Sequence, residues 1–280
     1  NFRLQQAMQT VFVDLAGSWE EASVLPQELR QKLQAGSPIQ EIKPEKVLAT
    51  KDSLTIKVVF RLPDNFRIES VLMKHEDNRQ TICVSSQVGC PMNCQFCATG
   101  QQGFKRNLTS GEMLEQVLFF ARLLKKTGEK VTGVVFMGMG EPLLNYDNVL
   151  KAIKTLSDEH EFNLASRHIS ISTCGIVAGI QKLAKEKLQI NLAISLHAPN
   201  DKIRSKLMPI NKTNSILKIL TAIDEYIKIT NRKVMFEYLM IDGVNDSPVH
   251  AEALTHILNK PLYFVNLISF NPVGHTKFQS

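Results

Sequence analysis

The sequence has few of the features that mark a specialised protein class. It contains 1 tryptophan, 7% aromatic residues, 14 glycines and 11 prolines in 280 residues, which excludes collagen-like, low-complexity and wholly disordered chains. Its apolar runs stay well short of the ~20 residues that a membrane-spanning helix needs, and no charged-then-apolar leader follows Asn1. We therefore expect a cytoplasmic protein that is not associated with a membrane.

The sequence also lacks a large excess of either positive or negative charge. The chain has 33 Lys and Arg residues against 27 Asp and Glu, a formal net charge of +6. The basic residues are spread along the chain, for example in the pairs Lys105–Arg106 and Lys125–Lys126. This balance permits a nucleic-acid partner, but an ordinary solvated surface explains it equally well.

The five cysteines are more informative than the charge. They are Cys83, Cys90, Cys94, Cys97 and Cys174. An odd number, with three thiols inside eight residues, is a poor disulfide framework for a chain of this length. Crowded thiols of this kind are typical of metal or redox chemistry in a reducing compartment.

The hydrophobic pattern changes twice along the chain. Residues 1–45 have helical spacing, as in Phe2, Met8 and Phe12, and residues 46–80 predict a module of short strands at 54–60 and 68–73. From residue 81 onward, strands and helices alternate, which indicates βαβ units and a parallel sheet, either curled toward a barrel or open and doubly wound. The predicted strands are 81–86, 131–138, 168–174, 190–197, 233–241 and 262–270, and the predicted helices are 109–126, 145–158, 176–186, 213–229 and 248–259. We thus predict three parts: a helical accessory domain (1–45), a β-strand module (46–80) and a core (81–280).

Polar residues follow the predicted strands where each strand ends. In parallel α/β folds the functional side chains collect at that edge of the sheet. One such segment could simply cap a helix or a turn, but a set of six indicates a site. The segments are Gln87–Cys90, Gly138–Pro142, Ser172–Cys174, Ser195–His197, Asp242–Asp246 and Asn271–Pro272.

The first of these segments opens a C-x3-C-x2-C loop formed by Cys90, Cys94 and Cys97. Thiolates bind iron, and iron–sulfur clusters are normally held by four cysteines. Three thiolates on a cubane leave one iron without a protein ligand, which is the open position that a reactive metal site needs. A zinc site is the alternative, but no histidine is near the loop in the sequence, so we favour a [4Fe-4S] cluster.

The loop, with Phe96 before its last cysteine, resembles the radical S-adenosylmethionine (SAM) superfamily. Further segments resemble the RlmN/Cfr family over nearly the whole chain: Ser85–Cys90, Cys97–Asn107, Gly138–Pro142 and Ser195–Asn200. The resemblance implies an α/β fold, namely a partial (βα)6 radical-SAM barrel with a small N-terminal helical and β-strand accessory module. It implies a [4Fe-4S] cluster and S-adenosylmethionine as cofactors, methylation of an adenine in 23S rRNA, and tRNA as a further candidate substrate. We also expect the protein to be a monomer and to receive electrons from a donor such as a flavodoxin.

Within the family, Pro142 after Glu141 resembles the RlmN branch, which methylates adenine C2. The alternatives are a C8 methyltransferase of the Cfr type and a noncatalytic iron–sulfur relative that binds RNA. A radical enzyme acting on a small molecule fits the helical N-terminal part and the basic balance less well.

The resemblance also implies roles for individual residues. Cys90, Cys94 and Cys97 match the cluster ligands, and Gly140 and Glu141 match the pair that holds the amino group of S-adenosylmethionine. Ser172, Ser195, Leu196, His197 and Asn271 match further cofactor contacts. Glu69 matches a proton acceptor, although one extra residue separates it from Cys83, and Glu76 is the weaker alternative.

Cys83 matches the second redox cysteine, which would form a transient disulfide with a methyl-carrying cysteine. The family places that carrier well beyond the match to Asn271, whereas this sequence ends at Ser280 with no cysteine after Cys174. Either the carrier lies outside the sequence, or the protein cannot run the usual mechanism. Cys174 is better explained as a small buried side chain than as a substitute carrier.

Overall fold

A computed structural model describes residues 2–273 and 277–280. It contains eleven strands in this part of the chain: β1 (Lys43–Ala49), β2 (Thr55–Arg61), β3 (Arg67–Lys74), β4 (Gln80–Cys83), β5 (Gln87–Gly89), β6 (Phe104–Asn107), β7 (Gly133–Phe136), β8 (Ile169–Thr173), β9 (Asn191–Ser195), β10 (Val234–Met240) and β11 (Tyr263–Ser269).

The same residues form nine α-helices: α1 (Phe2–Met8), α2 (Gln27–Gly36), α3 (Ala98–Gln101), α4 (Ser110–Lys125), α5 (Tyr146–Ser157), α6 (Val177–Ala184), α7 (Asp201–Leu207), α8 (Ile216–Thr230) and α9 (Pro248–Ile257). A π-helical turn (Gln9–Val13) extends α1, and short 3-10 helices lie at Trp19–Glu21, Pro142–Leu144, Ser166–His168 and Pro209–Lys212. None of the helices in the described residues is long and apolar enough to cross a membrane.

The chain divides into two compact units. The first comprises residues 1–88, 107–138 and 147–169, and the second comprises 89–106, 139–146 and 170–280. The three-part division expected from the sequence stays a prediction.

The first unit contains neighbouring strands in the order β1-β2-β3-β4-β7. β1 to β4 pair antiparallel, and β4 pairs parallel with β7. Helix α4 begins at a capping box in which Thr109 and Glu112 satisfy each other's backbone amides. The N-terminal helical segment has its own small core around Trp19, Ala22 and Leu25.

The second unit contains β8-β9-β10-β11, and the pairings of β9 with β8 and of β10 with β9 and β11 are parallel. One face of these strands is buried, through residues such as Ile171, Leu192 and Phe236. Their other face carries polar residues, among them Ser172, Ser195 and Glu237. This alternation places the polar residues on one side of the sheet, where a site can form.

The predicted α/β fold is confirmed. All six strands expected after residue 80 are present as β4, β7, β8, β9, β10 and β11, and the five expected helices are present as α4, α5, α6, α8 and α9. In the described residues, the strands of neither unit close into a ring.

Five strands and helices were not predicted, namely β1, β5, β6, α3 and α7. β1 was missed because Pro44 and two lysines interrupt any alternation, and a bulge between Pro44 and Lys46 breaks its register. The β5–β6 pair and the short α7 were also missed. Helix α7 begins where Asn200 Oδ1 accepts the Ile203 N–H at 3.0 Å, a cap that the sequence does contain.

Candidate active site

The three-cysteine loop lies in the second unit and is held by backbone hydrogen bonds at both ends. The Cys90 N–H donates to the Gly103 carbonyl at 3.0 Å, and the Gln95 N–H donates to the Leu207 carbonyl at 2.9 Å. Cys94 packs in an apolar cluster with Cys174, Leu207 and Met208, to which Cys97 adds a half-buried side chain. The sequence motif is therefore a folded loop seated on the end of α7.

Two glycines let the backbone approach this loop. Gly89 has φ +70°, and a Cβ there would lie 1.8 Å from the Gly103 carbonyl oxygen. A Cβ on Gly100 would lie 2.9 Å from the Cys94 nitrogen. Both positions therefore require glycine, and sequence reasoning did not single out either of them.

We expect the loop thiols to release their protons when the sulfurs bind a metal, and not by ordinary ionisation in water. Burial raises the pKa of Cys90 to about 11 and that of Cys94 to about 12. The neighbouring sulfurs of Cys97 and Cys90 raise the pKa of Cys94 further, since each disfavours a second negative charge. Metal binding displaces these protons, so the affinity for metal should rise with pH.

The loop fits the iron–sulfur cluster that its spacing implies. No group of three Cys, His, Asp or Glu side chains in the described residues converges on the position of a single metal ion. Thiolates are the ligands that hold iron–sulfur clusters. Cys90, Cys94 and Cys97 supply three of them on a tightly held loop, so the donor set fits such a cluster.

Glu141 is buried after a glycine with positive φ, Gly140. Its Oε1 accepts the Leu143 N–H at 3.0 Å and its Oε2 accepts the Cys174 N–H at 2.8 Å. Burial raises the pKa of this carboxyl, and the Cys174 amide opposes the increase. The side chains of Cys174 and Thr173 also hydrogen-bond to this carboxyl, so the fold holds it in one position.

Ser172 and Ser195 are brought together across β8 and β9. Their hydroxyl oxygens lie 3.3 Å apart, and both side chains are half-buried. Leu196, the next residue, is fully buried, and its N–H donates to the Glu237 carbonyl at 3.1 Å. Asn271 follows β11 with an exposed side chain.

His197 is held in one orientation by the fold. Its Nδ1 accepts the Leu239 N–H at 3.0 Å, and its ring packs edge-on against Phe96 with centroids 4.9 Å apart. Burial and the Arg204 charge lower the pKa of His197 to about 3, so the ring is neutral and carries its proton on Nε2. The sequence has no histidine near the cysteine loop, but the fold brings His197 to it; with Nδ1 occupied, the ring does not complete a zinc site.

Arg204 is the main residue that sequence reasoning missed. Its fully buried guanidinium donates to the carbonyls of Cys174, Ser195 and Leu196 at 2.6, 3.1 and 3.1 Å. It also donates to Asn211 Oδ1 at 2.9 Å. These bonds tie the ends of β8 and β9 to α7. A lone arginine in a short polar helix gives no sequence signal for this role.

Glu69 and Cys83 lie in the first unit, on the adjacent antiparallel strands β3 and β4. Val71 pairs with Cys83 in the register, and Glu69 stands two residues from Val71 on the same face. Glu69 forms an ion pair with Lys57 at 2.7 Å. Burial raises the pKa of the Cys83 thiol to about 11. All five cysteines are free thiols, which gives no support to the disulfide expected at Cys83.

Comparison with known proteins agrees with this geometry. Residues 84–253 match the radical SAM superfamily. A ribosomal RNA large subunit methyltransferase N of Nitrosopumilus maritimus is 44% identical over 98% of this chain and 80% of that protein. A probable dual-specificity RNA methyltransferase RlmN of Chloroflexus aurantiacus is 45% identical over 98% of this chain and 76% of that protein.

The chain belongs to the RlmN family. A solved structure agrees: a radical SAM methyltransferase from Sphaerobacter thermophilus superposes with a TM-score of 0.97 at 43% identity, covering 99% of this chain and 81% of that one. The chain is thus a radical SAM RNA methyltransferase whose cofactors are a [4Fe-4S] cluster and S-adenosylmethionine.

Proposed function

We propose that this RlmN-family enzyme methylates C2 of an adenine in 23S rRNA and accepts tRNA as a second substrate. The observation that carries the proposal is the seating of the Cys90–Cys97 loop against α7, whose Arg204 binds the ends of β8 and β9. The names of the relatives support the substrate, since one is a ribosomal RNA methyltransferase and others are described as dual-specificity. Pro142 after Glu141 supports C2 over C8.

The second unit would bind both cofactors. Cys90, Cys94 and Cys97 would hold the cluster. Gly140 and Glu141 would take the amino group of S-adenosylmethionine, because a carboxylate pairs with an ammonium through charge-assisted hydrogen bonds. When bound, the reduced cluster and S-adenosylmethionine together supply a carbon-centred radical that removes a hydrogen atom.

Further polar groups of the second unit would orient S-adenosylmethionine. The adjacent hydroxyls of Ser172 and Ser195 offer donors and acceptors on the polar face of the sheet. The backbone of the Ser195–His197 segment is fixed by Glu237, whose carbonyl accepts the N–H groups of Leu196 and His197. The remaining proposed contact, Asn271, would add an amide from the end of β11.

Two residues of the first unit would take part in proton transfer and in thiol chemistry. Glu69 would accept the proton that leaves the adenine ring, and the ion pair with Lys57 at 2.7 Å positions its carboxylate on the open side of the strand. Glu69 shares a face with the Cys83 strand, whereas Glu76 lies in an exposed turn after β3, which favours Glu69. Cys83, as a thiolate, would attack the sulfur of the methyl-carrying cysteine that the family resemblance implies. An S–S bond would form as the bond between that sulfur and the RNA-linked carbon breaks, and this carbon would keep the electron pair and take up a proton to become the product methyl group.

We also infer a cytoplasmic, monomeric enzyme that receives electrons from a flavodoxin-like donor. Free cysteines in the structure are compatible with a reducing compartment. A low-potential donor is needed because the cluster has to be reduced before it can react.

Nucleoside mass spectrometry tests the proposed function. The anaerobically purified full-length holoenzyme, including any residues that follow Ser280, is incubated with 23S rRNA or tRNA, S-adenosylmethionine and a reductant, and the RNA is then digested. We expect 2-methyladenosine with the wild type and none with Cys94→Ala, which lacks a cluster ligand. 8-Methyladenosine would assign the enzyme to the Cfr type, and unmodified RNA with cluster-loaded protein would refute the proposed function.

A further inference from the structure

Strands β1 to β4 present one open face in the first unit. Residues that pair across antiparallel strands lie on the same side of the sheet, so the register defines this face as three rows. They are Lys43–Arg61–Arg67, Lys46–Val59–Glu69 and Leu48–Lys57–Val71–Cys83. We call these ten residues the open face.

The other side of the same strands is the core. Val58, Phe60, Ile68, Leu72 and Ile82 alternate with the residues of the open face and are fully buried. Every residue of β1 is exposed, and the side chains of Lys57, Glu69 and Arg67 are 40, 45 and 59% exposed. The open face is therefore solvent-accessible along most of its length.

Positive charge dominates the open face. It carries five cations and one carboxylate, and Glu45 in the β1 bulge adds a second carboxylate at its edge. Each carboxylate pairs with one cation: Glu69 with Lys57 at 2.7 Å, and Glu45 with Arg67 at 2.9 Å. In the part of the chain that the structure describes, the other three cations, Lys43, Lys46 and Arg61, form no ion pair, and Arg61 lies close enough to Glu45 to lower the pKa of that carboxyl together with Arg67.

The arrangement of these charges fits a phosphate backbone. Neighbouring strands lie about 4.8 Å apart, so the row Lys43–Arg61–Arg67 spaces its attachment points at about that interval. Lys and Arg bind phosphates without regard to sequence. The three rows contain no aromatic side chain on which a base could stack, so we expect contacts to the RNA backbone and not base recognition.

We propose that the open face binds the phosphate backbone of the RNA substrate through Lys43, Lys46 and Arg61 and leads the strand toward Cys83. This inference rests on the proposed function, which supplies RNA as the ligand. Cys83 on β4 is the last residue of the row that also contains Lys57 on β2. Glu69 lies on the same face of the sheet. The RNA would thus be held beside the thiol and the carboxylate that we propose to act on it.

The test is RNA binding by the holoenzyme as a function of salt. Lys43→Gln, Lys46→Gln and Arg61→Gln are combined in one variant, and a matched control combines Lys151→Gln, Lys206→Gln and Lys228→Gln on exposed helix surfaces. Dissociation constants are measured with the target rRNA hairpin and with unstructured poly(U). Melting temperatures confirm that both variants fold, since exposed substitutions cost little stability.

We expect the open-face variant to lower the slope of log K against log salt by about 2, since each lost phosphate contact removes roughly 0.7–0.9. The loss should be similar for both RNAs, and the control should keep the wild-type slope. An unchanged slope, or an equal loss in the control, would overturn the proposal. Nucleoside analysis of the wild type separates this outcome from failure of the proposed function, because methylation can persist while the open face proves irrelevant to binding.

Discussion

Arg204 Nη2 donates a 2.6 Å hydrogen bond to the carbonyl oxygen of Cys174, whose own N–H donates to Glu141. This chain of bonds joins α7, the end of β8 and the carboxylate proposed to hold S-adenosylmethionine. Since α7 also accepts the Gln95 N–H of the cysteine loop through Leu207, one short helix contacts both of the proposed cofactor sites.

Replacing Arg204 should therefore destabilise the protein strongly. Arg204→Met leaves the buried carbonyls of Cys174, Ser195 and Leu196 without their donor, and we expect a loss of at least about 3 kcal/mol in the free energy of unfolding. Urea denaturation of the apoprotein measures it. Lys206→Met, on the exposed side of the same helix, is the control and should unfold at the wild-type midpoint. Equal midpoints for the two variants would show that the hydrogen bonds of Arg204 do not stabilise the protein.

Glu141→Gln tests the two roles of the buried carboxylate. The amide has nearly the same shape as the carboxylate and lacks its charge. Both oxygens, however, accept backbone N–H groups, and glutamine has a single oxygen, so we expect a stability loss of about 1–3 kcal/mol in addition to weaker S-adenosylmethionine binding. Thermal unfolding without the cofactor and calorimetric titration with it separate the effects. Glu252→Gln on exposed α9 should change neither, and an unaltered melting temperature for Glu141→Gln would refute the double role.

Glu115 on α4 should give the protein a pH-dependent stability. Its carboxylate accepts the N–H groups of Glu41 and Ile42 at 2.7 and 2.9 Å, and burial raises its pKa from 4.5 to about 7. The folded state thus holds this proton more tightly than the unfolded chain. The resulting stabilisation is complete below pH 4.5 and is lost as the pH rises to about 7. Denaturation midpoints between pH 4.5 and 8 should show a shallower decline for Glu115→Gln than for Glu252→Gln; parallel curves would rule out Glu115 as the source.

The cluster assignment predicts about four irons per chain in anaerobically prepared protein. Cys94→Ala removes a ligand and should abolish iron binding, whereas Cys174→Ala, which alters a buried cysteine of the same apolar cluster, should retain it. Iron and zinc are measured by elemental analysis. Stoichiometric zinc without iron in the wild type would exclude the radical mechanism.

The Cys83 thiol should be slow to react in the folded protein. Burial raises its pKa to about 11, so the thiolate fraction should increase about tenfold per pH unit up to pH 10. Iodoacetamide labelling of the Cys83 peptide, followed by mass spectrometry, should show that slope. In denatured protein the rate should level off near the ordinary cysteine pKa of about 8.5. A plateau near pH 8.5 in the folded protein would show that Cys83 is not protected by burial.

Much of the fold and part of the site follow from local sequence. The six parallel strands and five helices were predicted because each carries its own apolar periodicity, as in β8 and α4. The cysteine loop was recognisable because its three cysteines are close together in the sequence. These patterns lie within short segments, so they can be recognised without knowledge of the tertiary structure.

The rest depends on contacts between distant segments. Arg204 binds carbonyls on two strands that precede α7, and His197 meets Phe96 about one hundred residues away in the sequence. Neither contact leaves a local pattern. β1 was missed for a different reason, since its charged and proline-containing sequence has no apolar face.

The same composition governs how β1 behaves toward other molecules. In the described residues β1 pairs with β2 alone, so its outer backbone groups are available to a strand from another chain. Pro44 lacks an N–H to donate, the bulge before Lys46 breaks the regular spacing, and the lysines repel a like-charged edge. β1 is therefore an edge strand that disfavours aggregation by strand addition, although all of its residues are exposed.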